Sequence, residues 1–501
     1  VHTYEDVDSI AVVDSQGKHW PQRLGEGRDF YMQPAWHPSG ERLCWVEWDH
    51  PNMPWDSTEL KVASLAFPEG GLPVVASTEV VAGGPDVSVF QGSFSRDGKS
   101  LVYVSDESGW GHLYRRDLAT GAVTQLTSGE FEHGTPAWAH GMRTFTQTAS
   151  GTVVGVRQRA GFHTLIAISP SGETRDLGHL HQGYSSFSGI TAAPNNEKVA
   201  VIVTGGKQPP RVVVFDLANE AAKDSVRRRS DTETYAKAAL SEPQPVSWTS
   251  FDGEQAHGLY YPPASERFEG SGAPPLIVLV HGGPTSQVTA NWAPNAQYFA
   301  TRGFAVLQPN YRGSTGYGRA YMLKLRQSWG IYDVQDAKFG AQSLAERGMA
   351  DASRLVIMGG SAGGYTVLQS LVELPGFYKA GICMFGVANM FTLAADTHKF
   401  EARYLDSMLG PLPEAAAVYR ERSPIFHASK IQDPIAVYQG EIDRVVPREQ
   451  SDSIVASLRS RGVPHEYTVY PGEGHGWRKS ETIDAFYKSV EAFLKTYVLY
   501  A

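Results

Sequence analysis

An all-β first half followed by a layered α/β second half is the organisation the sequence predicts, on three observations. Short segments rich in Val, Tyr, Trp and Thr recur between Gly, Asp, Asn and Pro turns as far as about residue 240. Near Glu242-Pro243-Gln244-Pro245 the pattern changes, and continuous apolar segments begin to alternate with helical periodicities. The length of 501 residues is about three times the ~150-residue prior for one domain, so at least two domains are expected.

The first half carries a loose repeat. Trp36-His37-Pro38-Ser39-Gly40 precedes an apolar strand at Arg42–Glu47, and Phe94-Ser95-Arg96-Asp97-Gly98 precedes Ser100–Ser105. Trp138-Ala139-His140-Gly141 precedes Arg143–Thr148, and Ala193-Pro194-Asn195-Asn196 precedes Lys198–Val203. The starts lie 44 to 58 residues apart. Each unit continues into a further strand, as at His112–Asp117 and Arg211–Asp216. That period and content suit four-stranded blades of a β-propeller, with a sandwich or solenoid as the alternatives. Residues 1–25 read as half a blade and four fuller units follow, about four and a half blades over 1–240. The expectation is a partial propeller whose upstream blades are missing from this chain. Arg227-Arg228-Arg229 reads as a solvated loop.

Residues 241–501 read as the α/β domain. Pro275–Val280 is a continuous apolar strand, and Phe304–Leu307, Leu355–Met358, Ala380–Phe385, Ile435–Gln439 and Tyr467–Tyr470 are similar, as when both faces of a mostly parallel sheet are covered. Amphipathic helices are expected at Asp333–Glu346, Glu449–Arg461 and Thr482–Val498.

Composition narrows the function classes. Apolar residues make 42% and charged residues 19%, enough apolar material for packed cores and against bulk disorder. A net charge of −9 leaves no basic footprint for nucleic acid or an anionic membrane. The longest strongly apolar run is far short of the ~20 residues of a spanning helix. The N-terminus lacks the regions of a signal peptide and a Met, so the chain is expected to begin after processing or truncation. Cys44 and Cys383 fall in different domains and read as buried thiols of a reducing, cytoplasmic compartment. No H-E-x-x-H, no Cys/His pair at ligand spacing and no phosphate loop is present, so neither a metal nor a cofactor is expected.

The chemistry is carried by Gly359-Gly360-Ser361-Ala362-Gly363-Gly364-Tyr365, which follows an apolar strand and opens a helical pattern. G-x-S-x-G in that context lifts a serine hydroxyl above the sheet on a turn too tight for neighbouring Cβ atoms. The N–H of Ala362 then points at a developing oxyanion. An activated serine needs a base and a group to orient it, in the order Ser, acid, His. The acid falls in Gly440-Glu441-Ile442-Asp443-Arg444-Val445-Val446-Pro447, as Asp443 ahead of Glu441. The base is His475, in Gly472-Glu473-Gly474-His475-Gly476-Trp477. Both loops follow strands, where an open α/β sheet places its site. The second oxyanion donor is expected from Gly283, in His281-Gly282-Gly283-Pro284. The whole reads as an α/β hydrolase fold behind a β-propeller.

These pieces, with Asn310-Tyr311-Arg312-Gly313-Ser314-Thr315-Gly316-Tyr317-Gly318, resemble the prolyl oligopeptidase family of serine peptidases over residues 245–501. The likeness is strongest to the acylaminoacyl-peptidase and dipeptidyl-peptidase-like branch and to puromycin-hydrolase-like aminopeptidases. The resemblance implies a propeller that covers the site, an apolar pocket for the P1 side chain, and Tyr365 and the segment Phe385–Phe391 near it. Many relatives carry an Arg two residues after the catalytic Asp. Here Val445 stands in that place, with Arg444 one residue earlier. The acidic pair that reads a free N-terminus in dipeptidyl peptidases of the family has no clear match.

The expected activity is hydrolysis of short peptides by an exopeptidase of amino-, acylaminoacyl- or dipeptidyl type. A carboxylesterase uses the same triad, and a non-catalytic interaction protein is the third reading. Partners are short peptide or aminoacyl substrates, with homo-oligomerisation left open.

Overall fold

The computed structural model describes residues 1–220, 225–233 and 235–501. The chain divides into two compact units, residues 1–232 with 316–320 and residues 233–315 with 321–501. The changeover lies eight residues before the 240/241 boundary read from the sequence, and Gly316–Ala320 groups with the first unit rather than with the α/β half.

The first unit consists of antiparallel sheets: one of three strands between His2 and Gly25, then four of four strands each among the described residues. The blades pair in chain order: 30–83, 89–125, 145–176 and 186–229. Lys198–Gly205 shows how sequence makes a blade: alternate residues are buried, so one side chain in two reaches the apolar layer between sheets. That layer joins Val154, Val156 and Leu165 of the third blade to Phe187, Ile190 and Val199 of the fourth.

Two expectations need correcting. In three repeats the turn precedes the second strand of a blade, but in the third repeat Arg143–Thr148 holds the first strand, Phe145–Gln147. The turn equivalent to Ser95–Gly98 is Ala149–Thr152. It lacks the aromatic and proline cue, and its backbone bonds with Asn196. Arg227–Arg229 is not a loop: it belongs to the strand Ser225–Arg229, paired with the strand Gln208–Asp216 through a bulge between Val212 and Val213. As the outer strand of its blade it exposes all three arginines, the usual protection of a sheet edge.

The second unit is built on one eight-stranded sheet. Its strands are β1 (Gln244–Thr249), β2 (Gln255–Tyr261), β3 (Leu276–Val280), β4 (Ala305–Asn310), β5 (Leu355–Gly360), β6 (Ala380–Met384), β7 (Ile435–Gly440) and β8 (His465–Tyr470). The order is β1-β2-β4-β3-β5-β6-β7-β8. β1, β2 and β4 pair antiparallel and the rest are parallel, the α/β hydrolase arrangement. β3 and β4 are buried at every residue. Helices α1 (Tyr332–Glu346), α2 (Ala362–Glu373), α3 (Arg448–Ser460) and α4 (Ser480–Leu494) complete the layers. Among the described residues no helix is long and apolar enough to cross a membrane.

Candidate active site

Ser361 stands between β5 and α2 with φ +57° and ψ −124°, a backbone region that side chains avoid. Its neighbours explain how it is held there. A Cβ on Gly359 would lie 2.5 Å from the backbone of Gly363, and one on Gly363 2.3 Å from the carbonyl oxygen of Val280. The N–H of Ser361 donates to the Met384 carbonyl at 3.1 Å. Only glycine allows strand, turn and helix to approach so closely. Ala362 is the first residue of α2, and its amide belongs to the four that open a helix without an intrahelical acceptor.

The acid and the base come from the loops after β7 and β8. His475 Nδ1 lies 2.8 Å from Asp443 Oδ2. The other oxygen, Oδ1, accepts the N–H groups of Val445 and Val446, each at 2.9 Å. The Asp443 carboxylate is fully buried and the imidazole is 23% exposed, so the ring keeps one open edge. The two loops are joined by Ile442 N–H donating to the Glu473 carbonyl at 3.0 Å. Glu441 accepts the N–H of Gly472 at 2.9 Å.

Phe385, with φ +38°, fills the gap between serine turn and histidine. Its ring centroid is 4.6 Å from that of His475 and 5.3 Å from that of Trp477. A Cβ on Gly360 would come within 2.9 Å of the same ring. Phe385 thus packs the imidazole against the turn that carries Ser361.

The loop after β3 lies over this turn. A Cβ on Gly282 would be 3.4 Å from that of Ser361. His281 Nδ1 meets the Gly282 carbonyl at 2.7 Å and Nε2 the Ser314 hydroxyl at 2.8 Å. Desolvation pushes the imidazole down to about 4, so the ring is neutral at pH 7. A carbonyl only accepts, so Nδ1 carries the proton and Nε2 accepts from Ser314. The ring stacks on Tyr311 at 4.5 Å, whose hydroxyl donates to the Pro284 carbonyl. Gly283, with φ +127°, follows on this braced segment.

Ser361, Ala362 and Gly283 border one cavity of about 50 Å³. Its apolar walls include Trp329, Val387, Leu393, Tyr404, Leu405 and Val446; Val445 also lines it. Thr397 and Glu401 supply polar groups. Tyr365 lies behind a wall: it is fully buried, with its ring 4.7 Å from that of Trp329. Arg444 is exposed and outside the lining.

Sequence reasoning missed Trp329, Glu401 and Asp333. Asp333 opens α1, accepts the N–H of Gly330 at 2.7 Å and the hydroxyl of Thr366 at 2.6 Å. It thereby ties the Trp329 wall to the serine helix. Burial pushes its carboxyl up to about 6, against the two hydrogen bonds that pull it down.

A profile described as "Prolyl oligopeptidase family" matches residues 291–499. Over 225 residues the chain is 32% identical to a dipeptidyl aminopeptidase BIII of Pseudoxanthomonas mexicana, covering 44% of this chain and 33% of that one. Over 231 residues it is 30% identical to the acylamino-acid-releasing enzyme of Homo sapiens, covering 45% and 31%. The matches thus span about a third of the length of these curated relatives. Two solved structures follow almost the whole chain. A puromycin-hydrolyzing peptidase of Mycobacterium tuberculosis is 34% identical with a TM-score of 0.89, covering 97% of this chain and 72% of that one. A puromycin hydrolase is 36% identical with a TM-score of 0.87, covering 95% and 71%. On identity, coverage and architecture together, the chain belongs to the prolyl oligopeptidase family.

Proposed function

We propose that this chain is a serine exopeptidase acting on short peptide or aminoacyl substrates, with Ser361 as nucleophile, His475 as general base and Asp443 as orienter. The observation that carries this reading is the 2.8 Å contact of His475 Nδ1 with a buried Asp443 carboxylate, beside a serine held at φ +57°. Asp443 fixes the proton on Nδ1, which leaves Nε2 free to take the serine proton.

The Ser361 hydroxyl oxygen attacks the scissile carbonyl carbon and its proton passes to His475 Nε2. The carbonyl oxygen gathers the negative charge and accepts N–H bonds from Ala362 and Gly283. The tetrahedral species collapses, the C–N bond breaks, and His475 returns the proton to the leaving amine. Water then repeats the sequence on the acyl-serine, releasing the acid and regenerating the hydroxyl. The cavity lined by Trp329, Val387 and Tyr404 is the proposed seat of the P1 side chain. No step calls for a metal or cofactor. Free, buried Cys44 and Cys383 support a reducing, cytoplasmic setting.

The test is kcat/KM on p-nitroanilides of Ala, acetyl-Ala and Ala-Ala, with a nitrophenyl ester beside them and fluorophosphonate labelling of Ser361. Ester turnover without amide turnover would overturn the peptidase reading.

A further inference from the structure

The described residues on the wall of the cavity beside Ser361 include one carboxylate, Glu401. It ends the short turn Lys399–Glu401, a segment with no periodicity to announce it. Four of its companions on the wall, Val387, Leu393, Leu405 and Val446, carry no hydrogen-bond donor on their side chains. Thr397 Oγ1 stands 3.4 Å from Glu401 Oε2, and the half-exposed His398 has its Nε2 3.7 Å away. Desolvation raises the carboxyl above its usual value, while His398, Thr397 and the field of His475 work against that rise.

A carboxylate placed among apolar side chains costs folding free energy unless a donor or cation meets it. Among the described residues, the Thr397 hydroxyl and the solvent-facing His398 imidazole approach it, both at long range. Perturbed carboxyls in clefts are where ligand recognition is to be sought. The serine, the candidate oxyanion amides and Glu401 border one small space. A positive group that Glu401 meets is therefore carried by the very residue whose carbonyl Ser361 attacks.

Resting on the reading of the site given above, we infer that Glu401 is a specificity-determining residue that receives the ammonium group of the P1 residue. Two sources offer that chemistry: the free α-ammonium of an aminoacyl substrate and the side-chain ammonium of a P1 lysine. A cavity of about 50 Å³ favours the α-ammonium, which accompanies even alanine, over a four-carbon lysyl chain.

The experiment is a ratio of kcat/KM within matched pairs, in wild type and in Glu401→Gln. Ala- against acetyl-Ala-p-nitroanilide reads the α-ammonium. Acetyl-Lys- against acetyl-norleucine-p-nitroanilide reads the side-chain ammonium at equal length. A charge-assisted bond predicts a wild-type preference of about ten- to a hundred-fold for the charged member of one pair. That ratio is expected to fall towards unity in Glu401→Gln and to be largely retained in Glu401→Asp. The pair that responds assigns the source. A turn held together by Glu401 for structural reasons alone would lower both members equally and leave the ratios standing, which overturns the inference. Wild type without preference in either pair also overturns it. If Glu401→Gln does not fold, the wild-type ratios and Glu401→Asp still decide. Failure of the site reading looks different: neither pair turns over and fluorophosphonate leaves Ser361 unlabelled, and the inference falls with it.

Discussion

Gly440 and Gly474 meet backbone to backbone: a Cβ on Gly440 would lie 2.2 Å from the Gly474 carbonyl oxygen. This contact brings the end of β7, and Asp443 beyond it, against the loop that carries His475. Gly440→Ala must push the two loops apart, because both colliding groups are backbone. The expected outcome is a loss of about 1–3 kcal/mol of stability and at least a ten-fold fall in kcat/KM. Gly474→Ala is the control, since nothing lies within 4 Å of its would-be Cβ. Thermal unfolding and kinetics of both variants check this; equal behaviour of the two would refute the spacing argument.

Ser361 trades stability for position. Its φ of +57° with ψ −124° is natural to glycine and costly to any residue with a Cβ. Ser361→Ala and Ser361→Gly are both expected to lose about 10⁴-fold or more in turnover. Only Ser361→Gly relieves the backbone, so it is expected to be more stable than Ser361→Ala by about 1 kcal/mol and to unfold at a higher temperature. Calorimetry of the pair tests this. An alanine variant as stable as the glycine variant would show that the turn stores no strain.

Asp333 gives a pH signature of stability. Burial raises its carboxyl to about 6 in the fold, while an unfolded Asp titrates near 3.9. Between these values the native state binds more protons, so its contribution is fully present below about 4 and is lost as pH rises through about 6. Asn can accept from Gly330 through its oxygen and donate to Thr366 through its amide, without a charge. Asp333→Asn is therefore expected to gain thermal stability relative to wild type as pH goes from 4 to 7. A difference in melting temperature that stays flat or shrinks over that range would contradict the assignment.

What the sequence disclosed follows the strength of its local patterns. β3, β5 and β7 are apolar runs closed by glycine-rich turns, so the strands and the positions of Ser361, Asp443 and His475 were readable from them. Gly440 and Gly363 were visible as glycines, but the carbonyls that demand them come from distant segments. The third blade was misread because its true turn at 149–152 carries no aromatic or proline cue. β1 and β2 were unassigned, being short and alternating beside a Gly/Asp turn. Trp329, Thr397 and Glu401 were silent for a related reason. They sit on turns and short helical pieces whose side chains gather only once β5, β6 and their connections are packed. The family resemblance places Tyr365 at the pocket. One turn along α2 its side chain faces the interior and supports Trp329 instead.

Val445 and Arg444 differ by one residue and occupy different environments: Val445 lines the cavity, and Arg444 is exposed outside it. The N–H of Val445 is also one of the two that hold Asp443. That bond is made by the backbone, so it survives a change of side chain. Val445→Ala is expected to widen the cavity without disturbing the carboxylate, and so to raise kcat/KM for Phe-p-nitroanilide relative to Ala-p-nitroanilide by about three- to ten-fold. Arg444→Ala is expected to change the ratio between acetyl-Ala- and Ala-p-nitroanilide by less than about two-fold, because an exposed guanidinium off the cavity wall contributes little net binding. A collapse of that ratio in Arg444→Ala would mean that the guanidinium reaches a substrate carbonyl. The loss would then be the ten- to hundred-fold that a charge-assisted hydrogen bond typically brings.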